Sequence, residues 1–489
     1  MTAIKQTGQL NLFSETAESP KGDVGGADVD RSSSATFAVP KSETIERRVP
    51  SAITMEEVAS YENLMKAFMH VASNKGAPGA DGQSIEEVQE HVNETLLALH
   101  RELLDGSYRP GMIRRVWIPK PGGQRGLGIP NVVDRLVGQA VHQVFSPHYE
   151  PTFHRSSHGF RPGRSCHTAI AEAKRHVEDG YEWCVDIDLS KFFDRVNHDR
   201  LLSRLEQRVK DRRLIQLIRR MLKAKVVMPD GVVVSTEEGT PQGGPLSPIL
   251  SNIVLDELDW ELEQRGHRFV RYADDAKIYV RSERAGQRVM SSITRFIEGR
   301  LRLKVNEEKS AVARPEERHF LGFCLRCQPV DGTVDVFLSE RSLRRLYRRI
   351  RELTPRNWGQ SLRDCIAGIN EYLAGWYEFF SICTCMPKFE HADAHLRRRL
   401  RAIVLKHWRR KRTIVKCLIK LGVPPRFTWR QIYYGRRKTW VLARCSAVHR
   451  GLRNAYFAER GLISLREAWE FDHRPTIVEA SGQYCLPLG

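Results

Sequence analysis

The chain has 489 residues, with 78 Lys and Arg against 59 Asp and Glu, a formal net charge of +19 and a hydrophobic fraction of 41%. At about 100–200 residues per domain, that length implies two to four domains. Its apolar content excludes a chain disordered throughout. No run of roughly 18 uncharged apolar residues marks a membrane span, and the N-terminus has no apolar stretch of the kind a secretory signal carries. The expectation is a soluble, basic, multidomain cytoplasmic protein with no membrane partner.

The charge is unevenly placed. Phe337 to Arg450 hold 27 Lys and Arg but only 7 Asp and Glu, so the remainder is close to neutral. Solvated helix faces usually mix signs, whereas blocks such as Arg397-Arg398-Arg399 and Arg409-Arg410 are the electrostatic footprint of a polyanion, with nucleic acid favoured over an anionic membrane. The 10 cysteines form no framework. Cys324 and Cys327 fall on opposite faces of a strand, Cys383 and Cys385 lack a second pair, and His391 and His395 lack a third ligand, so reduced thiols are expected rather than zinc.

In chain order, residues 1–54 read as a disordered extension rich in Ser, Gly, Asp and Glu. Apolar periodicity through Val58, Tyr61, Leu64 and Phe68 predicts a helix, and Asn74–Gly82 is a Gly/Pro-rich break. A helix is predicted from Ser84 to Leu104, with Ser84 as N-cap and Glu87 completing a capping box. A strand is predicted over Ile113–Ile118, ended by the Pro and Gly residues from Pro119 to Gly123. Further strands are predicted at Trp183–Leu189, Phe269–Tyr272 and Ala276–Val280, alternating with helices at 131–146, 198–224, 247–264 and 284–300. Beyond Ser339 the pattern is almost wholly helical to Lys420. This is an α+β chain followed by an all-α basic half.

Two segments carry chemistry. In Phe269–Val280, two β-prone arms meet at Asp274-Asp275, which predicts a hairpin with both carboxylates at its tip. The turn lacks the Gly or Asn usual in a tight hairpin, and a like-charge pair is easier to explain if a divalent cation neutralises it. In Trp183–Asp194, period-two alternation buries Trp183, Val185 and Ile187 and sends Asp186 and Asp188 to the other face. Hard carboxylate oxygens suit Mg²⁺. Carboxylates from two strands could hold two ions about 3.5–4 Å apart, the clamp for in-line phosphoryl transfer. Asp186 also has a plain alternative role as partner to a nearby basic residue.

With these segments in view, the chain resembles the group II intron reverse transcriptase/maturase family. Its ordered blocks are Asn74–Gly82, Arg114–Asp134, His158–Ser165, the Asp188 segment, Gly239–Pro248, Tyr272–Asp275, Leu303–Ser310 and Leu321–Phe323. The resemblance implies a right-hand polymerase, with fingers and palm over 55–336, a helical thumb or maturase domain over 337–425 and a small DNA-binding region over 426–489. It implies Asp188, Asp274 and Asp275 as catalytic carboxylates holding two Mg²⁺. Lys120, Arg125, Phe193 and Gln242 correspond to dNTP-binding residues, Phe193 being the steric gate against a 2′-hydroxyl. Arg161, Arg164, Leu321, Gly322 and Phe323 correspond to primer and template contacts, with core-side ion pairing an equal reading for the two arginines.

The basic half gains a role from the same resemblance. Arg397, Arg398, Arg399, Arg409 and Arg410 become candidates for RNA binding. Tyr372, Trp376, Phe379 and Phe380 lie on one helical face, where core packing explains them at least as well as base stacking. The implied partners are group II intron RNA, an RNA template with a DNA primer, dNTPs and target DNA, in a bacterial cytoplasm and at the nucleoid when DNA-bound. No Cys and His cluster of an endonuclease domain is expected. The rival readings are a domesticated relative in DNA repair or defence and a non-enzymatic RNA-binding splicing factor.

Overall fold

The computed structural model describes residues 53–474 apart from 121–122, 242, 329, 331, 356–358 and 435–437. The expected disordered extension therefore lies outside the described residues except at its last two positions. Ten strands occur among the described residues: β1 (Ile113–Lys120), β2 (Gly123–Ile129), β3 (Trp183–Asp188), β4 (Val226–Val227), β5 (Val233–Val234), β6 (Arg268–Tyr272), β7 (Asp275–Val280), β8 (Ala311–Ala313), β9 (Phe323–Cys327) and β10 (Val334–Leu338). They form a central sheet of order β6-β7-β3-β8, a second of order β2-β1-β4-β5, and a β9–β10 ribbon.

The central sheet is covered on both sides. Val185 and Ile187 of β3 face a core shared with the Ser247–Gln264 and Glu283–Phe296 helices, and Trp183 packs at its edge. Cys184, Val270 and Tyr279 face a second core with the Cys166–Glu178 helix and the β9–β10 ribbon. Alternating side chains of one strand thus enter two different cores. The capping box forms as expected: the Glu87 N–H donates to Ser84 Oγ at 3.1 Å and the Ser84 N–H to Glu87 Oε2 at 2.9 Å. The helix expected over 84–104 is two, Ile85–Glu90 and Val92–Asp105, because His91 leaves helical geometry at φ −117°, ψ 28°. The one expected over 198–224 is likewise two, His198–Glu206 and Arg212–Leu222, the second capped by Asp211. The strand expected to end at Ile118 runs on to Lys120 as β1, and Gly123, expected among the residues that break it, opens β2, paired antiparallel with β1 from Arg114↔Ile129 to Lys120↔Gly123.

Beyond β10 the helices Glu340–Leu353, Leu362–Phe380, Met386–His407 and Lys411–Lys420 follow, and the second core runs on through them to Leu465. Trp376 and Phe380 are buried and Tyr372 and Phe379 pack beside them, so this aromatic face serves the core. The last described helix, Leu465–Asp472, is fixed to the Met386–His407 helix by buried Asp393. That carboxylate accepts from Ser464 Oγ at 2.7 Å and from the Leu465 and Arg466 N–H groups at 3.1 and 3.2 Å, an acid placed on the unpaired donors and positive end of a helix. Trp469 adds a bond from Nε1 to the Cys383 carbonyl at 2.6 Å. Among the described residues no helix is long and apolar enough to cross a membrane.

One buried cation ties the central sheet to its surroundings. Arg271 on β6, 1% exposed, donates Nε to Asp259 Oδ1 at 2.7 Å and Nη2 to Asp259 Oδ2 at 2.5 Å. Its remaining donors reach Asn252 Oδ1 (3.0 Å), the Ala273 carbonyl (2.8 Å) and Ser157 Oγ (2.7 Å). The backbone of the same residue joins the 156–158 loop, its N–H donating to the Ser156 carbonyl and its carbonyl accepting from the His158 N–H, both at 2.8 Å. Arg271→Met leaves Asp259 charged and buried without its partner, which costs about 3–5 kcal/mol. The expected outcome is a lowered urea midpoint, with part of the loss recovered in the Arg271→Met/Asp259→Leu double variant.

Candidate active site

The β6–β7 hairpin closes with two residues, Ala273 and Asp274, between the paired Tyr272 and Asp275. Ala273 takes a left-handed φ of 55°, a conformation that short hairpins usually assign to Gly. It is held there from outside: Arg271 bonds its carbonyl, and Gly159 lies so close that a Cβ on that glycine would sit 2.3 Å from the Ala273 nitrogen. Strain of this kind persists where the surroundings over-determine it.

Asp188 ends β3 directly across from Asp275. Its N–H donates to Ser310 Oγ at 3.0 Å, its carbonyl accepts from the Asn306 N–H at 2.8 Å, and Lys309 Nζ stands 3.6 Å from its Oδ1. All three carboxylates therefore share one end of the sheet. Burial raises the Asp274 carboxyl above its ordinary range and Asp188 adds to this, while Arg125 opposes it. Asp275 is raised by burial and by Asp186 and Asp274, against the pull of Lys277.

Asp186 has the plainer of its two expected roles. It shares a face with Asp188 but is buried, bonded to Lys277 Nζ and to Arg318 Nε at 2.7 Å. Lys277 also reaches Asp275 Oδ1 at 3.0 Å. Burial alone would lower the Lys277 pKa, yet Asp275 and Asp186 outweigh it and hold the ammonium above its ordinary value. A positive charge thus sits behind Asp275, inside the protein.

The approaches to the carboxylates come from other elements. Arg125 lies on β2 opposite Ile118, on the sheet face whose charge reaches Asp274. Lys120 ends β1 opposite Gly123. Gln242 lies outside the described residues, but its neighbours are placed. The Thr240 N–H donates to the Phe193 carbonyl at 2.6 Å, a Cβ on Gly239 would fall 2.7 Å from that carbonyl, and one on Gly243 would fall 2.8 Å from the Gly128 carbonyl. This segment is wedged between β2 and the Phe192–Arg195 helix, where Phe193 is half-buried. Leu321 and Gly322, at φ 52° and 94°, make a tight turn closed by reciprocal Phe320 and Phe323 backbone bonds of 2.8 and 2.9 Å. The Gly322 carbonyl accepts from the Ser339 N–H (3.0 Å) and Ser342 Oγ (2.9 Å), which fastens the turn to the start of the Glu340–Leu353 helix. Phe323 packs on Phe379 and Phe380 at 5.6 and 5.2 Å.

Several expected contacts are used within the fold. Arg161 is buried, donating to Glu150 and to the His154 and Ser157 carbonyls at 2.6 and 2.8 Å, so it organises the loop rather than facing outward. Arg164 bonds the Arg155 carbonyl. Arg397 approaches Asp393 at 3.7 Å, Arg398 stacks 3.8 Å over Trp440, and Arg399 bonds Thr354 and the Arg351 carbonyl at the end of the Glu340–Leu353 helix. Three adjacent arginines thus go to three structural partners. Arg409 and Arg410 are exposed.

Among the described residues no three His, Cys, Asp or Glu side chains converge as a ready-made metal cage. Mg²⁺ seldom uses one; it takes one or two carboxylates and completes its octahedron with phosphate oxygens and water. Asp188 and Asp275, each with a side chain 40% exposed at one sheet end, fit that arrangement.

Residues 118–325 match the family described as reverse transcriptase (RNA-dependent DNA polymerase), and residues 343–420 match the group II intron maturase-specific domain. "Protein YkfC" of Escherichia coli (strain K12) is 35% identical over 292 residues, covering 51% of this chain and 76% of that protein. "Group II intron-encoded protein LtrA" of Lactococcus lactis subsp. cremoris is 30% identical over 342 residues, 55% of each; the match spans about half of that relative's length. The "Putative COX1/OXI3 intron 2 protein" of Saccharomyces cerevisiae is 27% identical over 351 residues, 59% of this chain and 40% of that protein. The fold and site thus define a reverse transcriptase domain joined to a maturase domain. The chain belongs to the group II intron reverse transcriptase/maturase family.

The strained turn gives a direct check. Ala273→Val places a β-branched residue at a left-handed φ and lowers stability by about 1–3 kcal/mol, whereas Ala273→Gly leaves the melting temperature unchanged or raised. Equal melting temperatures for the two variants would contradict the reading of strain.

Proposed function

We propose that this protein is an RNA-directed DNA polymerase that extends a primer 3′-hydroxyl with dNTPs, and that it binds group II intron RNA to assist splicing and retrohoming. The observation that carries the polymerase reading is the meeting of Asp188, Asp274 and Asp275 at one sheet end, with Arg125 acting on Asp274 from β2. Two Mg²⁺ held by these carboxylates would supply an activated 3′-hydroxyl and neutralise the leaving pyrophosphate.

The protein's own groups account for the rest. Arg125, with Lys120 beside it in the hairpin, suits charge-assisted bonds to a triphosphate. Phe193 sits where the Gly239–Gly243 segment is clamped and is the proposed gate against a 2′-hydroxyl. The Leu321–Gly322 turn is the proposed primer support, held at a fixed distance by the thumb. Lys277 keeps Asp275 oriented and offsets its repulsion from Asp186.

For RNA, the exposed face of the Glu340–Leu353 helix, with Arg341, Arg345 and Arg348 along one side, and the exposed pair Arg409 and Arg410 are better placed than Arg397–Arg399. The region from Arg426 onward is the proposed DNA-binding part. The maturase match and the name of the Lactococcus relative support the intron reading.

Primer extension on poly(rA)/oligo(dT) tests the enzyme. Mg²⁺-dependent synthesis is expected in the native chain, with a loss of at least about a thousandfold in Asp274→Ala, the scale of removing a principal electrostatic group. Full activity in that variant, or none in the native chain, overturns the polymerase proposal; the second result alongside intact intron splicing leaves a maturase. Phe193→Val should raise incorporation of rNTPs relative to dNTPs, read as the ratio of their kcat/KM values.

A further inference from the structure

The Pro425–Tyr433 helix has two unlike sides. Thr428 and Ile432 are buried. The other side carries Arg426, Trp429, Arg430 and Tyr433 at i, i+3, i+4 and i+7, a single stripe along the helix. Trp429 is 46% exposed and Tyr433 40%. Their rings stack with centroids 4.9 Å apart and planes at 24°, and Lys411 Nζ stands 5.3 Å from the Tyr433 centroid. Arg412 and Lys416 are exposed on the neighbouring Lys411–Lys420 helix, which packs against this one. No Asp or Glu occurs between Asp393 and Glu459.

An aromatic pair placed for packing would be buried, and a merely solvated face would mix signs. An interfacial membrane helix needs a continuous apolar side, which Arg426 and Arg430 interrupt here. Flat exposed rings set beside the exposed Arg412, Lys416, Arg426 and Arg430 match a different ligand, a strand with bare bases and a phosphate backbone.

We propose that Trp429 and Tyr433 form a base-stacking platform for an unpaired polynucleotide segment, with Arg426, Arg430 and Lys411 meeting its phosphates. A duplex offers no free base faces and binds this surface less well. Neither ring nor cation reads a 2′-hydroxyl, so single-stranded RNA and DNA bind alike. This names the ligand of the C-terminal region and rests on reading that region as a nucleic-acid surface.

The test uses the full chain with its polymerase cleft saturated by an unlabelled template–primer duplex. A fluorescein-labelled oligo(dT) 12-mer is then titrated and followed by anisotropy. Trp429→Ala/Tyr433→Ala should weaken this second binding event about tenfold or more, the scale of losing a stacked base. Trp429→Phe/Tyr433→Phe should largely retain it, with circular dichroism and melting temperature unchanged in both. A 4-thiouridine oligonucleotide should crosslink to the peptide containing Trp429.

Unchanged affinity in the alanine variant overturns the platform. So does a preference for labelled duplex over single strand, although that result keeps the region as a nucleic-acid surface. Absence of any binding beyond the saturated cleft sinks both readings. Binding to phosphatidylserine vesicles that the alanine variant loses, with oligonucleotide binding intact, assigns the stripe to a membrane surface instead.

Discussion

Arg271 sits where three otherwise separate pieces of chain must agree. Its guanidinium has five N–H donors in a fixed plane, and each has an acceptor: the two oxygens of the Asp259 carboxylate and Asn252 Oδ1 on one helix, Ser157 Oγ on a loop, and the carbonyl of the turn residue Ala273. A planar group satisfied in this way leaves little freedom to the elements that bind it. The helix cannot shift along the sheet, nor the loop lift from β6, without leaving a charge buried and unpaired. Asp274 follows Ala273 directly, so the position of one carboxylate depends on an ion pair behind the sheet.

A second buried pair does comparable work on the neighbouring strands. Lys277 lies between Asp186 and Asp275, and Arg318 approaches Asp186 from the segment leading to the Leu321–Gly322 turn. Repulsion among carboxylates crowded at one sheet end is therefore balanced from inside by fixed cations, with the solvent side left open. The acidic and basic residues that nearly cancel in the first part of the chain are not a neutral background. Many are paired in this way.

The carboxylates were legible because their signal is local. Asp274-Asp275 between two β-prone arms and Asp188 on an alternating strand need only neighbouring residues to be recognised, and the register Asp188↔Asp275 joins them as expected. The supports were not legible. Asp259, Asn252 and Ser157 are distant from Arg271 in sequence, and nothing in their immediate context marks them as its partners. The run Arg397–Arg399 misleads for a related reason. Consecutive helical residues point about 100° apart, so three adjacent cations need not make one basic face, and here they reach Asp393, Trp440 and Thr354. The split helices at His91 and around Gln207–Asp211 show the same limit, since apolar periodicity continues across a break that only backbone geometry reveals.

The bond from Asp393 to the start of the Leu465–Asp472 helix bears on how the protein can be divided. That helix closes the core that begins beneath the central sheet and passes through the helices between Glu340 and Lys420. A fragment ending at the maturase match would expose the Asp393 carboxylate and the apolar floor beside Trp469 together. The central sheet and the Leu465–Asp472 helix therefore share one core, and shortening the chain to the end of the maturase match would remove part of that core's wall rather than an appendage.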